Sequence, residues 1–187
     1  MIDKALLLID VQQAFNDPKW GPRNNPTAEE KMQQILTECR KNHWTIIHVQ
    51  HVSQSPDSVF YEQGTGFAIK EIVAPQTGEK IIHKQVNSAF IGTDLNDYLN
   101  EQKINTLAIV GLTTPHCVST TTRMSGNLGY RTYLIADATA AFGMNDHHGN
   151  FIDAQTIHHY SLATLHEEFA TVLDTNHFLQ KIQNATV

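Results

Sequence analysis

The sequence predicts an α/β fold: a three-layer αβα sandwich with a mostly parallel six-stranded sheet and helices on both faces. Two observations carry this. Short, wholly aliphatic runs recur along the chain, such as Ala5-Leu6-Leu7-Leu8-Ile9 and Leu107-Ala108-Ile109-Val110, as in strands covered on both faces. Between them lie stretches of helical length and periodicity, and strands alternating with helices build βαβ units with parallel neighbours.

The elements follow in order. A strand at 5–10 leads to a helix at 28–42, where Met32, Ile35, Leu36 and Cys39 share one face. A strand at 44–50 opens onto an irregular stretch over 51–80, punctuated by Pro56, Gly64, Gly66, Pro75 and Gly78. Connections of that length are lids or binding loops, or hide short elements. Phe60, Tyr61 and Phe67 give this one apolar contacts, either over the catalytic edge or against another subunit. A strand at 81–84, a helix at 93–101 and a strand at 106–111 come next. Thr114 suits an N-cap and Pro115 a first helical position, so a helix is expected over 115–129, with Gly129 available for a left-handed cap. A strand at 131–136, a helix at 153–165, a strand at 169–173 and a helix at 176–184 complete the chain.

Length and composition bound the function. The 187 residues make one domain, 1–187, with 41% hydrophobic and 17% charged content. A net charge of −6 without a basic cluster argues against nucleic acid and anionic membrane as partners. No run is long enough for a membrane span, and Met1-Ile2-Asp3-Lys4 enters the first strand without a signal peptide. With two cysteines, a disulfide framework is not expected, and a cytoplasmic location suits a working thiol. Cys39, on the apolar helix face, reads as packing.

Chemistry enters where strands end. An acid, Asp10, follows the first strand; a cation, Lys84, follows Ile81-Ile82-His83; and Cys117 sits in the first turn after Leu112-Thr113-Thr114-Pro115. In an open parallel sheet these carboxyl ends line one edge, where ligands bind. An acid, a cation and a thiol gathered there form a set for covalent catalysis of a small-molecule substrate. By itself, a cysteine at a strand-to-helix turn is equally an apolar packing residue. Lys84 and the helix end lower the thiol's pKa, while burial raises that of Asp10 and Lys84 opposes that rise, so a coupled titration is expected.

These segments, with Asn87-Ser88-Ala89-Phe90, Gly111-Leu112-Thr113-Thr114, Asn127-Leu128-Gly129-Tyr130 and Asp137-Ala138-Thr139-Ala140-Ala141-Phe142, resemble the isochorismatase-like cysteine hydrolases, a superfamily that includes nicotinamidases and N-carbamoylsarcosine amidohydrolase. The resemblance spans nearly the whole chain and implies a Rossmann-like αβα fold and a homo-oligomer, dimer or tetramer. It also implies an Asp10-Lys84-Cys117 triad, with Cys117 as nucleophile, Asp10 as proton shuttle and Lys84 as the organising cation. A non-proline cis peptide maps onto Leu112-Thr113, with an oxyanion hole at the backbone N–H groups of Thr113 and Cys117. The implied activity is hydrolysis of a C–N bond in a small amide, carbamoyl or ureido compound through a thioester, without a cofactor.

Candidate substrate contacts are Gln12, Phe15, Trp20, Phe67, Asn87, Phe90 and Thr114. Phe15, Trp20 and Phe90 also suit the core, Phe90 above all, and Gln12 either meets substrate or fixes a loop. No metal site is expected. His48-Val49-Gln50-His51 lacks the Asp-x-His motif that nicotinamidases carry there, and His48 and His51 point to opposite faces of an extended segment, as polar packing or substrate contact. Asp146-His147-His148 has the Asp-x-His spacing but lies in a polar turn, and His158 and His159 are helix neighbours. His116 is expected to stand behind the nucleophile. The competing readings are vinyl-ether hydrolysis on the same fold, a redox thiol, and a binding module without turnover.

Overall fold

The computed structural model describes residues 3–184, so the entry of Met1 and Ile2 into the first strand lies outside the described residues. Six strands form one sheet, every pairing parallel: β1 (Lys4–Ile9), β2 (Thr45–His51), β3 (Lys80–Lys84), β4 (Thr106–Leu112), β5 (Arg131–Ala140) and, beyond a short ribbon, β8 (Thr171–Leu173). Their order is β3-β2-β1-β4-β5-β8. The chain therefore winds outward from β1 in one direction, then restarts at β4 and winds outward in the other. The crevice between the carboxyl ends of β1 and β4 is where such a sheet receives a ligand.

The apolar strands are apolar because both faces are covered. Leu6 and Leu8 of β1 pack with Met32, Ile35 and Leu36 of α1 (Ala28–Lys41), together with Phe178 and Ile182 of the last helix. Ala5, Leu7 and Ile9 turn the other way, toward Leu95 and Leu99 of α2 (Leu95–Glu101) and Val118 before α3 (Ser119–Asn127). α4 (Ala154–Ala163) lies beside the turn that carries Cys117, and α5 (Thr175–Asn184) closes the chain. Cys39 is fully buried on α1 and its thiol is pushed up by burial, as its packing role requires.

Four departures from the expected elements have local causes. The helix expected over 115–129 begins as a π-helical turn, Thr114–Val118, before α3 takes over, and Thr113 rather than Thr114 occupies the capping position. α3 ends through Gly129 (φ 88°), with Tyr130 N–H donating to Ser125 O as a left-handed cap requires. β5 runs on to Ala140 because its register against β4 jumps between Ile109 and Gly111, so the extra residues form a bulge. The residues after β5 form an antiparallel ribbon, β6 (Met144–Asn145) with β7 (Phe151–Ile152), joined by a turn in which Asp146 accepts from the N–H groups of His148 and Asn150. That turn is the role of the Asp146-His147-His148 spacing. The stretch over 51–80 holds two single 3-10 turns, Thr65–Phe67 and Glu71–Val73. It is tied down by Arg40 to Glu79 (2.7 Å) and Lys70 to Glu29 (2.6 Å).

Gly111 is the position where β4 admits no side chain. It lies beside Ile9 in the register, has φ 130°, and a Cβ there would stand 2.1 Å from the Ile9 carbonyl oxygen. An alanine must push apart the two strands whose ends carry Asp10 and Cys117. Gly111→Ala is expected to cost about 3 kcal/mol or more in urea denaturation. An unchanged unfolding midpoint would refute this account of the β1–β4 contact.

Candidate active site

Three strand ends deliver the reactive side chains. Asp10 follows β1 with φ 52°, a left-handed conformation that aspartate tolerates better than most residues, and its N–H donates to Val49 O (2.8 Å). That turn swings the carboxylate over the sheet edge. Lys84 is the last residue of β3, paired in register with His51, the last residue of β2. Cys117 comes from the π-helical turn after β4, and the Leu112-Thr113 peptide before it is cis, as expected. Asp10 and Lys84 are each only 1% exposed and Cys117 8%.

The contacts are specific. Lys84 Nζ donates to Asp10 Oδ2 (2.7 Å) and to His51 Nδ1 (3.1 Å). Asp10 Oδ1 is buried with no hydrogen-bond partner among the described residues. A carboxylate oxygen of Asp10, a ring nitrogen of His51 and Cys117 Sγ all lie within 4.8 Å of one another. The thiol donates a long hydrogen bond to Asn87 Oδ1 (3.8 Å). Asp10, His51 and Cys117 are donor types that a metal could use, but the Lys84 ammonium already bonds to two of the three.

Burial dominates the electrostatics. It raises the pKa of Asp10 despite the opposing pull of Lys84. The thiol of Cys117 is pushed up to about 12, by burial first and by the Asp10 charge second, with Lys84 lowering it less. Lys84 lowers the thiol's pKa as expected, but burial of the sulfur and the Asp10 charge outweigh it. His51 is held down to about 4 by burial and by the Lys84 charge, so its imidazole is neutral near pH 7.

A cavity of about 410 Å³ opens onto these groups. One side is apolar: Phe15, Trp20, Phe60 and Phe142 pack ring to ring, with Phe15 centred 5.3 Å from Phe60 and Trp20 5.7 Å from Phe142. Met144 extends that wall, and Asn87, Thr113 and His116 line the polar side. His116 stands beside Cys117 in the chain, with Nδ1 3.1 Å from Thr113 Oγ1.

Of the expected substrate contacts, Phe15, Trp20 and Asn87 line the cavity, and four others do not. Gln12 is fully buried: its Oε1 accepts from His51 N–H (2.8 Å), and its Nε2 donates to His51 O (3.1 Å) and Phe67 O (2.9 Å). It fixes the loop. Phe67 acts through that carbonyl, which also accepts from Gln50 Nε2 (2.9 Å), while its ring packs on His83. Phe90 belongs to the core and stacks on Tyr130. Thr114 is fully buried, with Oγ1 2.8 Å from Nδ1 of the buried His158, so its hydroxyl is engaged away from the cavity. His48 bonds Glu79 (2.9 Å) as polar packing.

Phe142 and Met144 were absent from the expected set. Phe142 lies just past β5, a fourth strand end on the same edge, so the rule that found Asp10, Lys84 and Cys117 also reaches it. Met144 depends on the ribbon and has no such signal. Phe60 places the connection over 51–80 on this chain's own site.

Comparison with known proteins adds three findings. Residues 4–177 match the family model of the isochorismatase domain. An uncharacterized isochorismatase family protein of Bacillus subtilis, YrdC, is 59% identical over 94% of both chains, and a maleamate amidohydrolase of Pseudomonas putida is 26% identical over 80% of this chain and 78% of its own. A crystal structure assigned to the isochorismatase family, from Chromobacterium violaceum, superimposes with a TM-score of 0.95 at 40% identity, covering 97% of this chain and 94% of that one.

Proposed function

This chain belongs to the isochorismatase family of hydrolases, and from that premise we propose that it is an amidohydrolase, cleaving a C–N bond of a small amide, carbamoyl or ureido compound through a Cys117 thioester. The observation that carries the reading is the division of labour on one carboxylate. Lys84 holds Oδ2 of Asp10, Oδ1 is buried and unpaired, and a carboxylate oxygen of Asp10 lies within 4.8 Å of the thiol sulfur. A buried acceptor in that state is costly unless something brings it a proton, and the thiol of Cys117 is the nearby source. The maleamate amidohydrolase among the relatives supports amide cleavage.

The steps follow from the geometry. Asp10 takes the thiol proton as Cys117 Sγ attacks the carbonyl carbon. The raised pKa of Asp10 makes it a better base, while burial and the Asp10 charge raise the thiol's own pKa and oppose the transfer. The negative charge moves to the substrate oxygen, where the backbone N–H groups of Thr113 and Cys117 stabilise it, an arrangement typically worth about 3 kcal/mol per donor. The C–N bond breaks as Asp10 passes its proton to the departing nitrogen. Water then gives a proton to Asp10 and attacks the thioester, and the carboxyl returns that proton to sulfur as the acid leaves. Lys84 keeps the shuttle anionic between transfers.

The test is acid quenching during turnover of primary amides and ureido acids, followed by peptide mass spectrometry. An acyl adduct on the peptide containing Cys117, cleared by hydroxylamine, is expected. Turnover without any adduct in rapid-quench samples would refute the covalent route.

A further inference from the structure

His51 touches the triad and faces the cavity, yet the proposed reaction leaves it without a task. Its bonding settles which nitrogen carries a proton. A lysine ammonium has three donors and no acceptor. Because Lys84 Nζ lies 3.1 Å from Nδ1, that nitrogen presents its lone pair, and the neutral ring carries its hydrogen on Nε2. Lys84 is held in turn by Asp10 Oδ2, so the tautomer is enforced from two directions. Nε2 has no protein partner among the described residues and is not sealed within the core, while the ring lines the cavity with its centroid 5.1 Å from that of Phe60. Gln12 grips the backbone N–H and carbonyl of His51 and so fixes the point from which the ring hangs, while the Lys84 contact at Nδ1 sets the ring itself.

A rigid, neutral N–H donor beside a nucleophile and a flat aromatic wall recognises one kind of molecule. We infer that His51 orients the substrate by donating from Nε2 to a second acceptor on it, which narrows the substrate class to flat, apolar-bodied amides bearing a carbonyl, carboxylate or ring-nitrogen acceptor beside the scissile group. This rests on the amidohydrolase reading of the same site. Asn87 complements it: its Oδ1, already close to Sγ, accepts rather than donates and so suits the amide N–H side of the substrate. His116 also lines the cavity, but its Nδ1 is engaged by the Thr113 hydroxyl, which can donate or accept and so does not set its tautomer as Lys84 sets that of His51. A site built around a hydrogen-bond donor rejects analogues without the acceptor more strongly than an apolar wall rejects a missing methylene.

The experiment has two arms. In the first, ring ¹⁵N resonances of His51 are recorded in the wild-type protein between pH 5 and 8, with and without benzoate as a flat, acceptor-bearing probe. The expected result is a neutral ring protonated on Nε2 throughout, with the Nε2–H resonance displaced by benzoate. A proton on Nδ1, a ring that titrates within this range, or a resonance unmoved by saturating benzoate would each overturn the inference. In the second arm, benzamide is compared with the three pyridinecarboxamides, which exchange one ring C–H for an acceptor at successive positions. At least one isomer is expected to show a KM about tenfold below that of benzamide. His51→Phe should abolish that preference, and His51→Gln, which keeps a neutral donor and an acceptor for Lys84, should restore part of it. Hydrolysis of all four amides with equal KM would reject the inference while leaving the amidohydrolase reading intact. If none of the four is hydrolysed and no thioester forms, the amidohydrolase reading fails for this class, and the resonance arm alone decides the role of His51.

Discussion

Cys117→Ala is expected to abolish hydrolysis, lowering kcat by about four orders of magnitude or more, while the protein stays folded. Loss of a nucleophile removes the covalent route entirely, and what survives is the small advantage of binding and oxyanion stabilisation. The fold tolerates the change because alanine keeps the Cβ of this buried position and removes one sulfur atom at the edge of the cavity. Its removal should cost about 1 kcal/mol of stability. The measurement is steady-state turnover beside a thermal melt. Residual activity within tenfold of wild type would require a different nucleophile and end the thioester scheme.

Lys84→Met should be nearly as damaging, and its signature lies in pH. The ammonium lowers the pKa of both Asp10 and Cys117, so removing it raises both. Asp10 then holds its proton to a higher pH and serves less well as base. A loss of about 10³-fold in kcat/KM is expected, with the acid limb of the pH–rate profile displaced to higher pH. Alkylation by iodoacetamide reads the thiol directly. With its pKa near 12, wild-type Cys117 should react slowly at pH 7 and accelerate about tenfold per pH unit. Lys84→Met should react more slowly still at every pH. Rapid wild-type alkylation that levels off below pH 8 would contradict the dominance of burial over the lysine charge.

What the sequence revealed and what it concealed divide along a physical line. Asp10, Lys84 and Cys117 were legible because each lies at or within one turn of the carboxyl end of a strand, and a parallel sheet brings such positions to one edge regardless of the loops. Cys39 was legible as packing because its helical spacing placed it among Met32, Ile35 and Leu36. Phe67 and Thr114 were misplaced, and Gln12 and Phe90 took the other role offered for each, loop-fixing and core, for a different reason. Their proximity to the motifs was correct, but their partners are His51, Gln50, Tyr130 and His158, which only the folded chain brings near. The balance of terms on the thiol's pKa stayed open because local sequence displays a nearby cation but does not display desolvation. The antiparallel ribbon was missed because each of its strands has only two residues, too short for any periodicity to register.

The grip of Gln12 on His51 and Phe67 has a consequence for how such a molecule can change over generations. With its three hydrogen bonds, this one side chain stands in for a length of strand backbone, anchoring the long connection at both ends of its descent past the site. The residues between those anchors supply Phe60 to the wall and contribute nothing to the triad. The proposed reaction is encoded at strand ends that the sheet holds in place, while part of the wall that meets the substrate comes from a stretch suspended between two fixed points. Drift or selection can therefore rewrite the second without disturbing the first, so one inherited chemistry can serve a succession of different substrates.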